Sequence, residues 1–84
     1  MRIHLTRAVI AALRKLGEDG AELRRRIEQL KQTPRPPDAR DYADRPGRYE
    51  FFVPTGPDSG VWVVCQQSQD RGETVITVAA IEEN

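Results

Sequence analysis

Residues 34–48 read PRPPDARDYADRPGR and hold four of the six prolines of the chain. Proline has no amide hydrogen, locks φ, and pushes the residue before it out of the helical region. No helix can cross this stretch, which reads as an extended, irregular connector. It divides the chain into two parts whose apolar residues obey different periods. Everything helical has to be finished near Thr33, and regular structure starts again only at Arg48.

Ahead of the connector, RIHL (2–5) alternates polar and apolar residues, as a short strand does with Ile3 and Leu5 on one face. Thr6 stands where a helix N-cap belongs, its hydroxyl oxygen able to accept from the free amides of the first turn. Val9, Ile10, Leu13 and Leu16 then recur at helical spacing, with Arg7, Arg14 and Lys15 off that stripe, and Gly17 ends the helix. In the segment EDGAELRRRIEQLKQTP, Asp19 and Glu22 have capping-box spacing. Leu23, Ile27 and Leu30 form one stripe, and Pro34 stops the second helix near Thr33. With so short a joint, the spacing predicts an antiparallel helical hairpin.

After the connector the period is two. RYEFFV (48–53) sets Tyr49, Phe51 and Val53 on one face. VWVVCQQ (61–67) sets Val61, Val63 and Cys65 on one face, with Trp62 and Val64 on the other. TVITVAAI (74–81) is apolar almost throughout, as a central or doubly covered strand is. PTGPDSG and SQDRGE carry turn formers at hairpin lengths. The expected fold class is α+β in the order β-α-α-β-β-β: a helical hairpin packed on a small, mainly antiparallel sheet. At 84 residues the chain forms a single domain over 1–84. One face of the sheet can be covered by the hairpin, and the other then exposes Phe52, Trp62, Val64 and Ile76 or its neighbours.

Net charge is zero, yet residues 1–48 carry 12 Lys and Arg against 7 Asp and Glu, while residues 49–84 carry 1 against 6. Such a split suits one face meeting an anionic surface or an acidic partner. It equally suits a helical layer and a sheet solvated by opposite charges. No run approaches the roughly 18 apolar residues of a membrane span, and the basic cap of a secretory leader is not visible, so a cytoplasmic location is expected. A single Cys, Cys65, and a single His, His4, make neither a disulfide nor a metal-ligand set. No cofactor or metal is expected.

The element order and lengths, carried by LTRAVIAALRKL, LRRRIEQLKQTP, RPGRYEFFV and TVITVAAI, resemble the RelE/ParE superfamily of bacterial type II toxins. The resemblance implies a toxin neutralised by a cognate antitoxin, whose C-terminal segment wraps the helices and sheet. It also implies a target: mRNA on the ribosome for the RelE-like branch, DNA gyrase for the ParE-like branch. The RelE-like branch stabilises the cleaved phosphate with basic residues on its middle strands. This chain departs there, with Glu50 in the first meander strand, Trp62 in the region of the family's Tyr-Arg pair, and Glu82 and Glu83 at the end of the last strand. Carboxylates beside a scissile phosphate repel it, and adjacent strand residues point to opposite faces, so Glu82 and Glu83 do not form a catalytic pair. No catalytic residue is assigned.

Two groups remain as candidates for binding. The aromatic group Phe52, Trp62 and Val64, near Tyr49 and Phe51, offers anchors for a protein partner. The basic group comprises Arg24, Arg25, Arg26 and Lys31 on the second helix, with Arg35, Arg40, Arg45, Arg48 and Arg71 from the loops. Arg24, Arg25 and Lys31 are candidates for antitoxin contact, and the loop arginines for RNA or target contact. The basic group is otherwise a solvated face. His4 and Cys65 read as structural, Cys65 as a small buried hydrophobe. The expected function is a toxin acting by protein binding. The alternatives are a ribosome-dependent mRNA endonuclease using Arg45, Arg48 and Arg71, or a non-toxic interaction domain.

Overall fold

The computed structural model describes residues 1–42 and 45–83. Asp44, one of the connector's acidic residues, lies outside them. The elements run β1 (Arg2–Leu5), α1 (Arg7–Leu16), a 3-10 turn (Gly17–Gly20), α2 (Ala21–Gln29), β2 (Arg40–Asp41), β3 (Arg48–Gly56), β4 (Ser59–Asp70) and β5 (Glu73–Glu83). This is the expected α+β class and element order, with a very short strand added inside the connector.

Thr6 caps α1 as its hydroxyl suggests, its Oγ1 accepting from Val9 N–H at 3.4 Å. Gly17 ends α1 with φ at 55°, its N–H donated to Leu13 O; that left-handed φ is where glycine is at home. The capping box at Asp19 and Glu22 does not form. The intervening turn takes Asp19, α2 starts from Gly20 without a side-chain cap, and Glu22 pairs with Arg25 instead. Val9 is buried and Leu13 and Leu16 pack on the core, but Ile10 is 38% exposed and leaves the stripe. In α2, Leu23, Ile27 and Leu30 all reach the core.

Among the described residues the sheet has the order β1-β5-β4-β3-β2. β1 runs parallel to β5, and the remaining neighbours are antiparallel. Its strands extend beyond the apolar runs. β4 continues through Gln66–Asp70, and the β4–β5 turn contracts to Arg71 and Gly72, both at positive φ (54° and 80°). That pair of left-handed residues matches the twist of a tight hairpin. Polar residues on these strand ends look like loop in the sequence because nothing apolar marks them. α1 packs on β5 and α2 on β3, so the helical layer spans the sheet with Tyr49, Phe51, Val53, Val61, Val63, Cys65, Ile76 and Val78 beneath it. Of Ile76 and its neighbours, expected on the open face, Ile76 is a core residue, while Val75 and Thr77 stand across from Ser68 and Gln66 on the open face. Ile76 faces Gln67 in a register that runs unbroken from the Arg71–Gly72 turn to Cys65 and Val78; beyond that the register shifts, leaving Ala79 as an extra residue and bringing Ile81 to the helix side.

Arg24 holds the joint between the helices. Its guanidinium donates to Gly17 O and, beside the Gly17 N–H, to Leu13 O, both at 2.6 Å, tying the end of α1 to α2. Arg24→Ala is expected to lower stability by about 1–2 kcal/mol, with helical content falling first at the end of α1; denaturant unfolding with circular dichroism checks it. Cys65 is completely buried, and desolvation pushes its thiol from an ordinary 9.0 up to about 12. Folding then keeps a proton that the unfolded chain loses, so stability falls as pH rises from about 9 towards 12. The thiol is expected to stay unreactive to a thiol reagent in the native protein near pH 8, and to react at once in denaturant.

Candidate functional site

The face of the sheet that carries no helix is built by alternation. Glu50, Phe52, Trp62, Val64 and Gln66 project opposite to the core residues between them, and register sets Ala80 and Glu82 across from Val64 and Trp62. The aromatic residues meet here. The rings of Phe52 and Trp62 lie edge to face, 5.3 Å apart at 64°, a geometry that adds about 0.5–1.5 kcal/mol to their burial. Phe52 lies over Gly60, where a Cβ would stand 2.1 Å from the ring. Glycine is required by this close approach.

Arg40 completes the patch from the connector. Its guanidinium sits 4.2 Å from the Trp62 ring centre, and its Nε donates to Glu50 Oε1 at 2.8 Å. The Glu50 side chain is only 12% exposed and that of Arg40 is 64% exposed. A carboxylate so enclosed needs its partner; β2 exists to place Arg40 across from Glu50. Arg48 extends the edge, donating from Nε to Gln66 Oε1 at 3.0 Å, while Gln66 Nε2 donates to Pro46 O. Val64, flanked by these groups, is 2% exposed, so among the expected anchors Phe52 and Trp62 are the ones offered to a partner.

Most of the other basic candidates on α2 and in the connector are spent locally. Arg25 pairs with Glu22, Lys31 with Glu28 and Arg35 with Asp41. Arg26 pairs with Asp38 and lies over Phe51, and Arg35 lies over Tyr49. The Arg25 hydrogen bond holds the Glu22 carboxyl below its ordinary value. Arg24, expected at a partner surface, works inside the helical joint. The loop arginines do not converge. Arg48 faces Gln66, whereas Arg71 stands in the turn beyond Asp70, roughly 16 Å along β4 at the rise of a strand. Arg45 is joined to Arg48 by a turn, Arg48 N–H donating to Arg45 O at 3.1 Å. Arg71 therefore cannot close on one phosphate together with Arg45 and Arg48.

Glu82 and Glu83 separate as alternation requires, Glu82 across from Trp62 and Glu83 across from Val61 on the helix side. His4 stands across from Thr77 on β1 and is exposed. Among the described residues no group of His, Cys, Asp and Glu is placed to hold a metal ion, and no helix is long and apolar enough to cross a membrane. Sequence reasoning missed the Arg40–Trp62–Glu50 contact. Arg40 lies in a stretch with no periodicity, and nothing local marks it as a strand residue.

No protein-family model, curated protein or solved structure matches this chain.

Gly60→Ala is expected to push the Phe52 ring off its seat and separate it from Trp62. The cost is about 1–3 kcal/mol, read by denaturant unfolding, with Trp62 emission moving to longer wavelength as the ring becomes wetter.

Proposed function

We propose that this chain works by binding another protein through the open face of its sheet, and that it is the toxin of a type II toxin–antitoxin pair of the RelE/ParE-like kind. The observation that carries the binding reading is the Phe52–Trp62 pair under Arg40 on a face that no helix covers. Half-buried aromatics beside an arginine are the residue types that anchor protein interfaces. The toxin reading draws on the element order β-α-α-β-β-β, which is that of the resemblance. A binding mode like that of the ParE-like branch, with DNA gyrase as the target, suits this chain better than cleavage of mRNA on the ribosome. The cations on the open face, Arg40 and Arg48, are engaged by Glu50 and Gln66, and Glu82 stands beside them where cleavage would call for a further cation. In this reading a cognate antitoxin in the cytoplasm neutralises the chain, and the Phe52 and Trp62 rings are its main contact.

Inducing the chain alone in a bacterial culture, with total RNA sampled for cut message ends, tests this. Growth arrest with intact messages is expected. Arrest should persist in Arg45→Ala and Arg48→Ala and be lost in Trp62→Ala, whose folding is checked by circular dichroism. Cut messages would overturn the binding mode. Unchanged growth with soluble, folded protein would remove the toxin reading and leave an interaction domain.

A further inference from the structure

β5 is paired along one edge by β4 from Glu73 to Glu83, but β1 covers its other edge only from Val75 to Val78. Thr6 closes that cover. Its N–H donates to Val78 O at 3.4 Å and its hydroxyl to Ala79 O at 3.3 Å, and the chain then turns into α1. From Ala80 to Glu83 no strand among the described residues lies on this side of β5.

The ladder says which backbone groups are open there. Gln67 N–H donates across to Gly47 O, so Gln67 and every second residue before it turn towards β3, while Gln66, Val64 and Trp62 turn towards β5. Their partners Ala80 and Glu82 turn back to β4. Ile81 and Glu83 therefore direct their N–H and C=O groups outward. An unpaired strand edge is a template for another chain unless something blunts it. β3 has Pro54 on the edge that β2 leaves uncovered, and β5 has no such block.

A groove opens on the helix face at this end of the sheet, from α1 over Ile81 and Glu83 of β5 to Val61 of β4 and on to Thr55 and Gly60. Clefts of about 250 and 190 Å³ share Leu16, Asp19, Val61 and Glu83, with Ala12, Lys15 and Ile81 lining the part nearest α1. Leu16, Val61 and Ile81 give it an apolar floor. Its charge is acidic: Asp19 and Glu83 line it, Glu82 lies on the other face of the same edge, and Lys15 is the one cation among the lining residues. Asp19, Glu82 and Glu83 are in no ion pair among the described residues. A second copy of this chain laid edge to edge would bring carboxylates against carboxylates, so the charge selects a different occupant.

We propose that the outer edge of β5 from Ala80 to Glu83 takes an extended, basic segment of a partner protein as an added strand. The strand bonds to the backbone of Ile81 and Glu83, sets an apolar side chain over Leu16 and Ile81, and presents Lys or Arg to Asp19, Glu82 and Glu83. This does not depend on the toxin reading, and the surface is separate from the Phe52–Trp62 patch.

The test is titration of the whole chain with a short labelled peptide of Lys and Val that carries Lys on both strand faces, monitored by fluorescence anisotropy and by amide hydrogen exchange. Saturable binding with slowed exchange at Ile81 and Glu83 is expected. Ile81→Pro, which removes an outward N–H, and the charge reversal Glu82→Lys/Glu83→Lys should each weaken binding about tenfold or more. If Ile81→Pro does not fold, the charge reversal at exposed positions decides. Equal binding of a Glu/Val peptide overturns the proposal, as does equal binding of a Lys-rich peptide interrupted by Pro, which would show charge attraction without strand pairing. Failure of the Lys/Val peptide to bind overturns it as well, and so does dimerisation of the chain through this edge.

Discussion

β5 is the strand on which the other elements depend. It is apolar on both faces over Val75–Ile81 and needs a partner on each edge and cover on its surface. β4 takes one edge, β1 takes part of the other in parallel, and α1 packs across its core face. Because β1 and α1 are contiguous, the start of the chain and the end of the sheet are tied together by a few residues around Thr6. Parallel pairing needs a crossover, and here the crossover is the whole of the helical layer and the meander.

The same arrangement explains why one face stays open. Two short helices can cover the residues that alternate towards them from β3, β4 and β5, and the opposite set is left to solvate itself. It does so with long side chains. Arg40 lies across Trp62 and closes over Glu50, and Arg48 engages Gln66. The abundance of arginine over lysine has a structural use in these contacts, since a planar guanidinium can lie on an aromatic ring and hydrogen-bond a carboxylate at once. Exposed ion pairs such as Arg25–Glu22 and Lys31–Glu28 add little stability, and they occupy side chains on α2 that a partner would otherwise meet as free cations. What remains is a neutral-to-acidic sheet with two aromatic rings, a surface better matched to a polypeptide than to a phosphate backbone.

Much of the architecture was legible along the chain, and for identifiable reasons. Thr6 and Gly17 bound α1 through local hydrogen bonding and backbone freedom. The period-two pattern sorted Tyr49, Phe51 and Val53 from Phe52, and Val61, Val63 and Cys65 from Trp62 and Val64. In the almost wholly apolar β5 the choice between Ile76 and its neighbours for the open face was not legible, because the turn at Arg71 and Gly72 and the bulge at Ala79 set the faces through the pairing of two strands. The capping box at Asp19 was lost to a 3-10 turn that lets Arg24 reach back to Leu13 and Gly17.

The sequence by itself determined the elements, the composition of each face and the separation of a helical layer from a meander, because these arise from residue chemistry over a few positions. Only the tertiary structure decided which sheet face the helices cover, that Arg40 would lie on Trp62, and that β1 would stop at Val78 and leave the end of β5 unpaired. Those outcomes depend on contacts between residues tens of positions apart, where register and packing are settled jointly by all the strands.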